Sequence, residues 1–199
     1  MKLISDLHSK FVYSRRIEVL LNQICKLIPP DATVLDVGCG DGMLDKLITE
    51  RRKDVTISGI DVLLRPETHI EVKVFDGENI PYDDNSFDVV MFIDVIHHSS
   101  SQKKLLTEAR RVSKQHLLIK DHTNNGFMSF STLKFMDWVG NRAHGVALPY
   151  NYWSKKEWTG MIEKLALNIQ YWDKNLKLYP PPASWLFDRS LHFISMLSK

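Results

Sequence analysis

Residues 34–44 read VLDVGCGDGML, an apolar run into an acid, glycines at alternate positions 38, 40 and 42, then a second apolar stretch. That order constrains the fold more than any other feature of the chain. A strand, a glycine-rich turn and the first turn of a helix together make the crevice in which open α/β sheets hold nucleotide-like ligands. Gly38, Gly40 and Gly42 let backbone approach a ligand with no Cβ in the way. Tight turns also use glycine for their own reasons, so the remainder of the chain has to separate a ligand cradle from a plain turn.

The remainder alternates strand and helix. Residues 14–28 place Ile17, Leu20, Leu21, Ile24, Leu27 and Ile28 at helical spacing, and Pro29-Pro30 stops the helix. TVLDV (33–37) reads as a buried strand, Met43 to Arg52 as a helix, and VTISGI (55–60) as a second strand ending at Asp61. HIEVKVF (69–75) alternates as a third, and FDVVMFI (87–93) is apolar throughout, as a central parallel strand is. A helix over 101–114 and a strand over 115–120 follow. This pattern predicts a doubly wound, Rossmann-like α/β sheet. Residues 121–153 lose clear periodicity and collect aromatics. Ser154 with Glu157 is a capping box opening a helix over 154–166. Two late strands, 167–173 and 191–197, are joined through Pro180-Pro181-Pro182 and are expected to pair antiparallel at the sheet edge.

At 199 residues and 44% hydrophobic content, one domain is expected: a helical cap (1–30), a core (31–120), a cover (121–153) and a C-terminal helix with strands (154–199). A formal charge of +2 leaves no electrostatic footprint for nucleic acid. Two cysteines, Cys25 and Cys39, argue against a disulfide framework and fit a reducing cytoplasm. The N-terminus lacks an apolar core of signal-peptide length. The longest apolar stretch is broken by Asp94 and is too short to span a bilayer.

Four strand ends each carry an acid: Asp36, Asp61, Asp76 and Asp94. Asp61 falls 21 residues beyond Gly40, placed to accept both hydroxyls of a ribose. Buried carboxylates are costly unless paired or hydrogen-bonded. Four on one rim therefore suit a ligand with several donors and a positive charge. The dinucleotide fingerprint requires Gly or Ala where Met43 stands, and a pyrophosphate is repelled by Asp36 and Asp41. A nicotinamide oxidoreductase is disfavoured on both counts.

VLDVGCGDG, GIDV, DGENIPYDDNSFDVVMFIDVIHH and LLTEARRVSK together resemble the class I S-adenosylmethionine-dependent methyltransferases, in particular the type 11, quinone-biosynthesis-like group. The matched motifs run from 34 to 120, over two fifths of the chain. The resemblance implies sheet order 3-2-1-4-5-7-6 with strand 7 antiparallel. It implies S-adenosyl-L-methionine as cofactor, with Asp36 and the amides around Gly38, Cys39 and Gly40 at its methionine end. Asp61 would take the ribose hydroxyls with Val62 beside the adenine, Asp76 and Gly77 would face the adenine, and Ile93 and Asp94 would line the sulfonium side. Tyr13 or Arg16 would reach the cofactor's carboxylate.

Methyl transfer is an in-line displacement for which the cofactor carries the reactivity, so no fixed catalytic residue is required. His97, just after the fourth strand, and His122, at the end of the fifth, are the candidates for a general base. His98 reads as a capping or packing residue. No metal is expected, although Asp121 and His122 sit at a similar level. The segment 124–158 carries Phe127, Phe130, Phe135, Trp138, Tyr150, Tyr152 and Trp153, with polar Asp137, Asn141, His144 and Asn151. Most of these aromatics are expected to bury a substrate cover against the domain. The expected acceptor is a small molecule, apolar or aromatic, attacked at O, C or N. The alternative is a cofactor-binding regulatory or partner protein without turnover. No basic stripe and no NPPY-like tetrad after the fourth strand point to nucleic acid. The expected assembly is a monomer or homodimer.

Overall fold

The computed structural model describes residues 2–141 and 148–199, with side chains from 14 to 140 and from 148 onward. Its seven strands are β1 (Thr33–Val37), β2 (Thr56–Asp61), β3 (Val72–Val74), β4 (Phe87–Ile93), β5 (Ser113–His122), β6 (Asn168–Asp173) and β7 (His192–Ser198). They form one sheet in the order β3-β2-β1-β4-β5-β7-β6. β1 to β5 pair in parallel, while β7 runs antiparallel to both β5 and β6. This is the expected architecture, including the reversed strand 7.

The apolar character of the central strands follows from helices on both faces. Along β4, Val90 and Phe92 join one core cluster while Val89 and Met91 join the other. The same period of two divides β1 (Leu35 and Val37 against Val34) and β7 (Phe193 and Leu197 against Ile194 and Met196). One face is covered by Leu105, Leu106, Ala109 and Val112 of α3 (Gln102–Val112) and by Trp158, Met161 and Ile162 of α5 (Lys155–Lys164). The other carries Leu20, Leu21 and Ile24 of α1 (Lys2–Leu27) and Ile48 of α2 (Met43–Arg51). Successive strands run one way from β1 through β2 to β3, and the chain then returns to place β4 on the other side of β1. That switch point opens a crevice at the carboxyl ends of β1 and β4.

Several boundaries differ from the sequence expectation. α1 begins at Lys2 rather than at 14. α3 stops at Val112 and β5 starts directly at Ser113. β3 is only three residues long and lies at the sheet edge, paired from Gly59↔Val72 to Asp61↔Val74. The aperiodic segment contains a helix, α4 (Ser129–Asn141), and a short α6 (Ala183–Phe187) precedes β7. The Ser154–Glu157 capping box is present as expected. Of the seven aromatics, Phe127, Phe130, Phe135 and Trp138 are exposed, so most do not bury the cover.

Trp158 joins the α5 face to the site: its ring lies 5.0 Å from both Trp153 and Phe193, and its Nε1–H donates to the His122 carbonyl at 3.0 Å. Trp158→Ala is expected to destabilise the fold by about 3–5 kcal/mol, the range for emptying a buried large side chain. Urea denaturation followed by circular dichroism checks this, and a loss below about 1 kcal/mol would contradict the packing role.

Candidate functional site

A cavity of about 530 Å³ opens in the crevice. Seven of the ten residues expected to touch a cofactor line it: Gly38, Gly40, Asp61, Val62, Asp76, Gly77 and Asp94. The other three, Asp36, Cys39 and Ile93, line a neighbouring cavity of about 200 Å³ beneath Ile17 and Leu20 of α1. Gly38 borders both.

The glycine loop is built against its surroundings. Gly38 has φ +82°, and a Cβ there would lie 2.5 Å from Val95 Cγ2. Gly40, at φ +62°, has nothing within 4 Å of such an atom, so it is the open face of the loop. The loop amides are committed within the protein: Gly38 and Cys39 donate to the Ile60 carbonyl at 2.7 and 3.2 Å, and Gly40 donates to Asp61 Oδ2 at 2.8 Å. Asp61 Oδ1 accepts from the Leu63 amide at 2.9 Å. A carboxylate accepts about four hydrogen bonds, so Asp61 braces the loop and keeps capacity for two ligand hydroxyls. Asp76 instead holds its own turn, accepting from the Asn79 and Glu78 amides at 2.6 and 2.8 Å and from Asn79 Nδ2 at 2.6 Å. The Asn79 amide and side chain, then the Glu78 amide, lower its carboxyl to about 2.

Beneath the loop lies a buried acid that the sequence reading passed over. Asp45 of α2 is fully buried beside Asp36. If both were ionised, Asp36 Oδ1 and both Asp45 oxygens would lack donors among the described residues. One proton shared between them supplies a hydrogen bond and removes one of two like charges. Burial and then the Asp45 charge push Asp36 well up, and burial pushes Asp45 to about 7. A carboxyl raised on folding stabilises fully below its unfolded value, and that stability is lost as pH climbs through 7. The asparagine of Asp45→Asn carries no titration and can donate to Asp36. The variant is expected to melt like wild type at pH 5 and higher at pH 8, by about 2–4 °C per kcal/mol recovered. Equal melting temperatures at both pH values would contradict the shared proton.

A second polar group closes the carboxyl ends of β4, β5 and β7. Asp94 sits in the left-handed region (φ 58°), and its carboxylate meets Lys120 Nζ and, at 3.5 Å, the Arg16 guanidinium. Lys120 is fully buried and also lies 3.4 Å from His192 Nδ1. Burial works to raise the Asp94 carboxyl, but Lys120, His122 and Arg16 outweigh it and hold it well below the usual range. After β4 a single 3₁₀ turn, Ile96–His98, points His97 inward. His97 Nδ1 meets Asp121 Oδ1 at 2.6 Å, and His122 Nδ1 lies 3.3 Å from the same His97 nitrogen. Burial opposes charge on His97, but Asp121, then Asp137 and Asp94, raise it to about 10. Burial and the His97 charge pull His122 down to about 4. The two histidines expected near substrate are therefore adjacent and buried, one a cation and one neutral. Of His97 and His98, only His98 lines the 530 Å³ cavity.

Sequence reasoning gave no role to Gln102 or His192 and read Tyr152 only as one of the aromatics of the cover. Tyr152 donates from its hydroxyl to Asp137 Oδ2 at 2.8 Å. Asn151 binds the 3₁₀ turn, its amide donating to the His97 carbonyl at 3.3 Å and its Nδ2 to the Ser99 carbonyl at 3.1 Å. Gln102 Nε2 donates to both the Ile96 and Asn151 carbonyls. The PYNYW stretch (149–153) thus clasps the 3₁₀ turn. The Tyr13 and Asn141 side chains and His144 lie outside the described residues.

A doubly wound sheet with a reversed seventh strand, a glycine loop after β1 and an acid at the end of β2 define the class I methyltransferase fold. Residues 10–171 match the family model described as methyltransferase domain, and the chain belongs to that family, the S-adenosylmethionine-dependent methyltransferases. It is 26% identical over 144 residues to the ubiquinone/menaquinone biosynthesis C-methyltransferase UbiE of Cupriavidus metallidurans, covering 63% of this chain and 59% of that one. It is 30% identical over 90 residues to "Probable tRNA methyltransferase 9B" of Mus musculus, covering 43% of this chain and 19% of that one. The chain thus spans less than two thirds of these relatives' length. A SAM-dependent methyltransferase structure from Aquifex aeolicus superposes with TM-score 0.60 at 18% identity, covering 89% of this chain and 88% of that one. Among the described residues no helix is long and apolar enough to cross a membrane.

Proposed function

We propose that this chain binds S-adenosyl-L-methionine in the crevice and transfers its methyl group to a small-molecule acceptor. The observation that carries the reading is the set of acids on the crevice. Asp61 keeps lone pairs toward the cavity while bracing Gly40, and Asp94 is held ionised at the cavity wall. Such a site suits hydroxyl donors and a positive charge and repels a pyrophosphate. The cavity volume falls within the range for small-molecule and cofactor pockets, about 300–1,000 Å³. When bound, the cofactor supplies a methyl group activated by a positively charged sulfur. The chain's part is alignment: Asp61 holds the ribose, Val62 and Gly77 flank the base, and Asp36 faces the amino-acid end. His98 and Ser99 border the cavity beyond Asp94, where an acceptor would enter. Two unpaired cysteines fit a cytoplasmic setting.

The similarity to a tRNA methyltransferase supports a second acceptor class. Asp61 and Asp76 on the cavity wall oppose it, because phosphates would meet like charge there, whereas the charge of Asp94 is already met by Lys120 and Arg16 and Arg65 also lines the cavity.

Two outcomes follow. Asp61→Ala is expected to weaken S-adenosylhomocysteine binding by about 1–3 kcal/mol, because it leaves ribose donors unpaired; unchanged affinity would overturn the crevice assignment. Incubation with methyl-labelled cofactor, a panel of small hydroxylated and aromatic compounds and unmodified tRNA is expected to label the small molecules. Label appearing in tRNA alone would overturn the acceptor class.

A further inference from the structure

Methyl transfer as described leaves one group of side chains unused. His97 Nε2 and His98 Nε2 each lie 3.5 Å from Asp137 Oδ1, and the three atoms fall within 4.8 Å of one another. That spacing is long for hydrogen bonds. It is close to the edge of a tetrahedron whose centre lies about 2.0–2.2 Å from each ligand atom. His97 Nε2 has no hydrogen-bond partner among the described residues, although its side chain is only 2% exposed. Its other nitrogen is held by Asp121 at 2.6 Å, and Tyr152 fixes the second oxygen of Asp137 at 2.8 Å. Carboxylate and hydroxyl partners of this kind orient metal-binding imidazoles and carboxylates from behind.

Two neighbouring triads are weaker candidates. In Asp94, His122 and His192 a cation is already resident, since Lys120 Nζ contacts Asp94 and approaches His192. In His97, Asp121 and His122 the His97 nitrogen involved is engaged with Asp121.

We infer that His97, His98 and Asp137 bind a divalent transition-metal ion of the zinc type, which takes the place of the proton on His97 Nε2 and releases it to water, and that this ion holds the methyl acceptor through an oxygen. Two imidazoles and one carboxylate suit such ions, and three protein ligands leave a position for an exchangeable oxygen. His98 lines the cofactor cavity, which places that position beside the proposed methyl donor. The acceptor role rests on the proposed function; the metal site does not. The acceptor is then a small hydroxy compound whose acidity the metal raises. Its hydroxyl proton leaves to water, the oxygen electron pair forms the bond to the methyl carbon, and the carbon–sulfur pair returns to sulfur as a neutral thioether.

The test is titration of chelator-treated protein with Co²⁺, whose visible absorption reports coordination, followed by competition with Zn²⁺. One Co²⁺ per chain, displaced by Zn²⁺, is expected. His98→Ala and Asp137→Asn should each weaken binding by about tenfold or more, while His192→Asn leaves it intact. Circular dichroism establishes that each variant is folded, and His98→Ala, at the cavity edge, decides alone if Asp137→Asn is not. Absence of Co²⁺ and Zn²⁺ binding, or binding lost in His192→Asn and kept in His98→Ala, would overturn the site. Because no cofactor is present in the titration, protein that binds S-adenosylhomocysteine but no metal contradicts this inference alone, and the reverse contradicts the proposed function alone.

Discussion

A parallel sheet at its switch point points several strand ends at one crevice, and in this chain those ends carry acids. Keeping carboxylates there requires partners inside the protein. Lys120 is the principal one. It is fully buried at the end of β5, and its ammonium contacts Asp94 across the strand pair. Breaking such a buried pair by removing one member strands the other charge. Among the described residues Asp36 has no such cation, and a proton shared with Asp45 keeps it. The crevice thus combines an ionised wall near Asp94 with a neutralised floor near Asp36.

The same economy of partners holds the 3₁₀ turn after β4. Asp121 accepts from the Ile96 and His122 amides and meets His97, so β5 fixes the 3₁₀ turn that follows β4. The PYNYW segment then locks that turn through Asn151 and Gln102, while Tyr152 reaches Asp137 on α4. A position on the cavity wall is thereby set by four segments distant in sequence. Of the exposed aromatics of α4, Phe130 sets its ring 5.9 Å from that of Tyr152, while Phe135 and Trp138 lie 6.5 Å apart.

How much of this was legible depends on period. β4 is apolar on both faces and α3 carries a clean stripe, so the alternation of strands and helices could be anticipated, while the strand order came from the family resemblance. α4 could not, because SFSTLKFMDWVGN spreads apolar side chains around the helix and buries Leu133 while exposing Phe130, Phe135, Trp138 and Val139. Asp45 was hidden for a related reason: an acid on a helix is ordinarily solvated, although its place three residues before the buried Ile48 put it on the inward stripe. Seven of the ten expected cofactor contacts share one cavity because motif spacing fixes strand ends. Which of His97 and His98 faces that cavity was not legible, since adjacent residues in a 3₁₀ turn point differently according to long-range packing.

The central claim is that the acid-lined crevice recognises a nucleoside carrying an amino-acid tail. Calorimetric titration of the intact protein with S-adenosylhomocysteine, with NADH as the comparison ligand, tests it most directly. Saturable micromolar binding of the first without the second is the predicted result. Preference for NADH, or binding of neither, would contradict it.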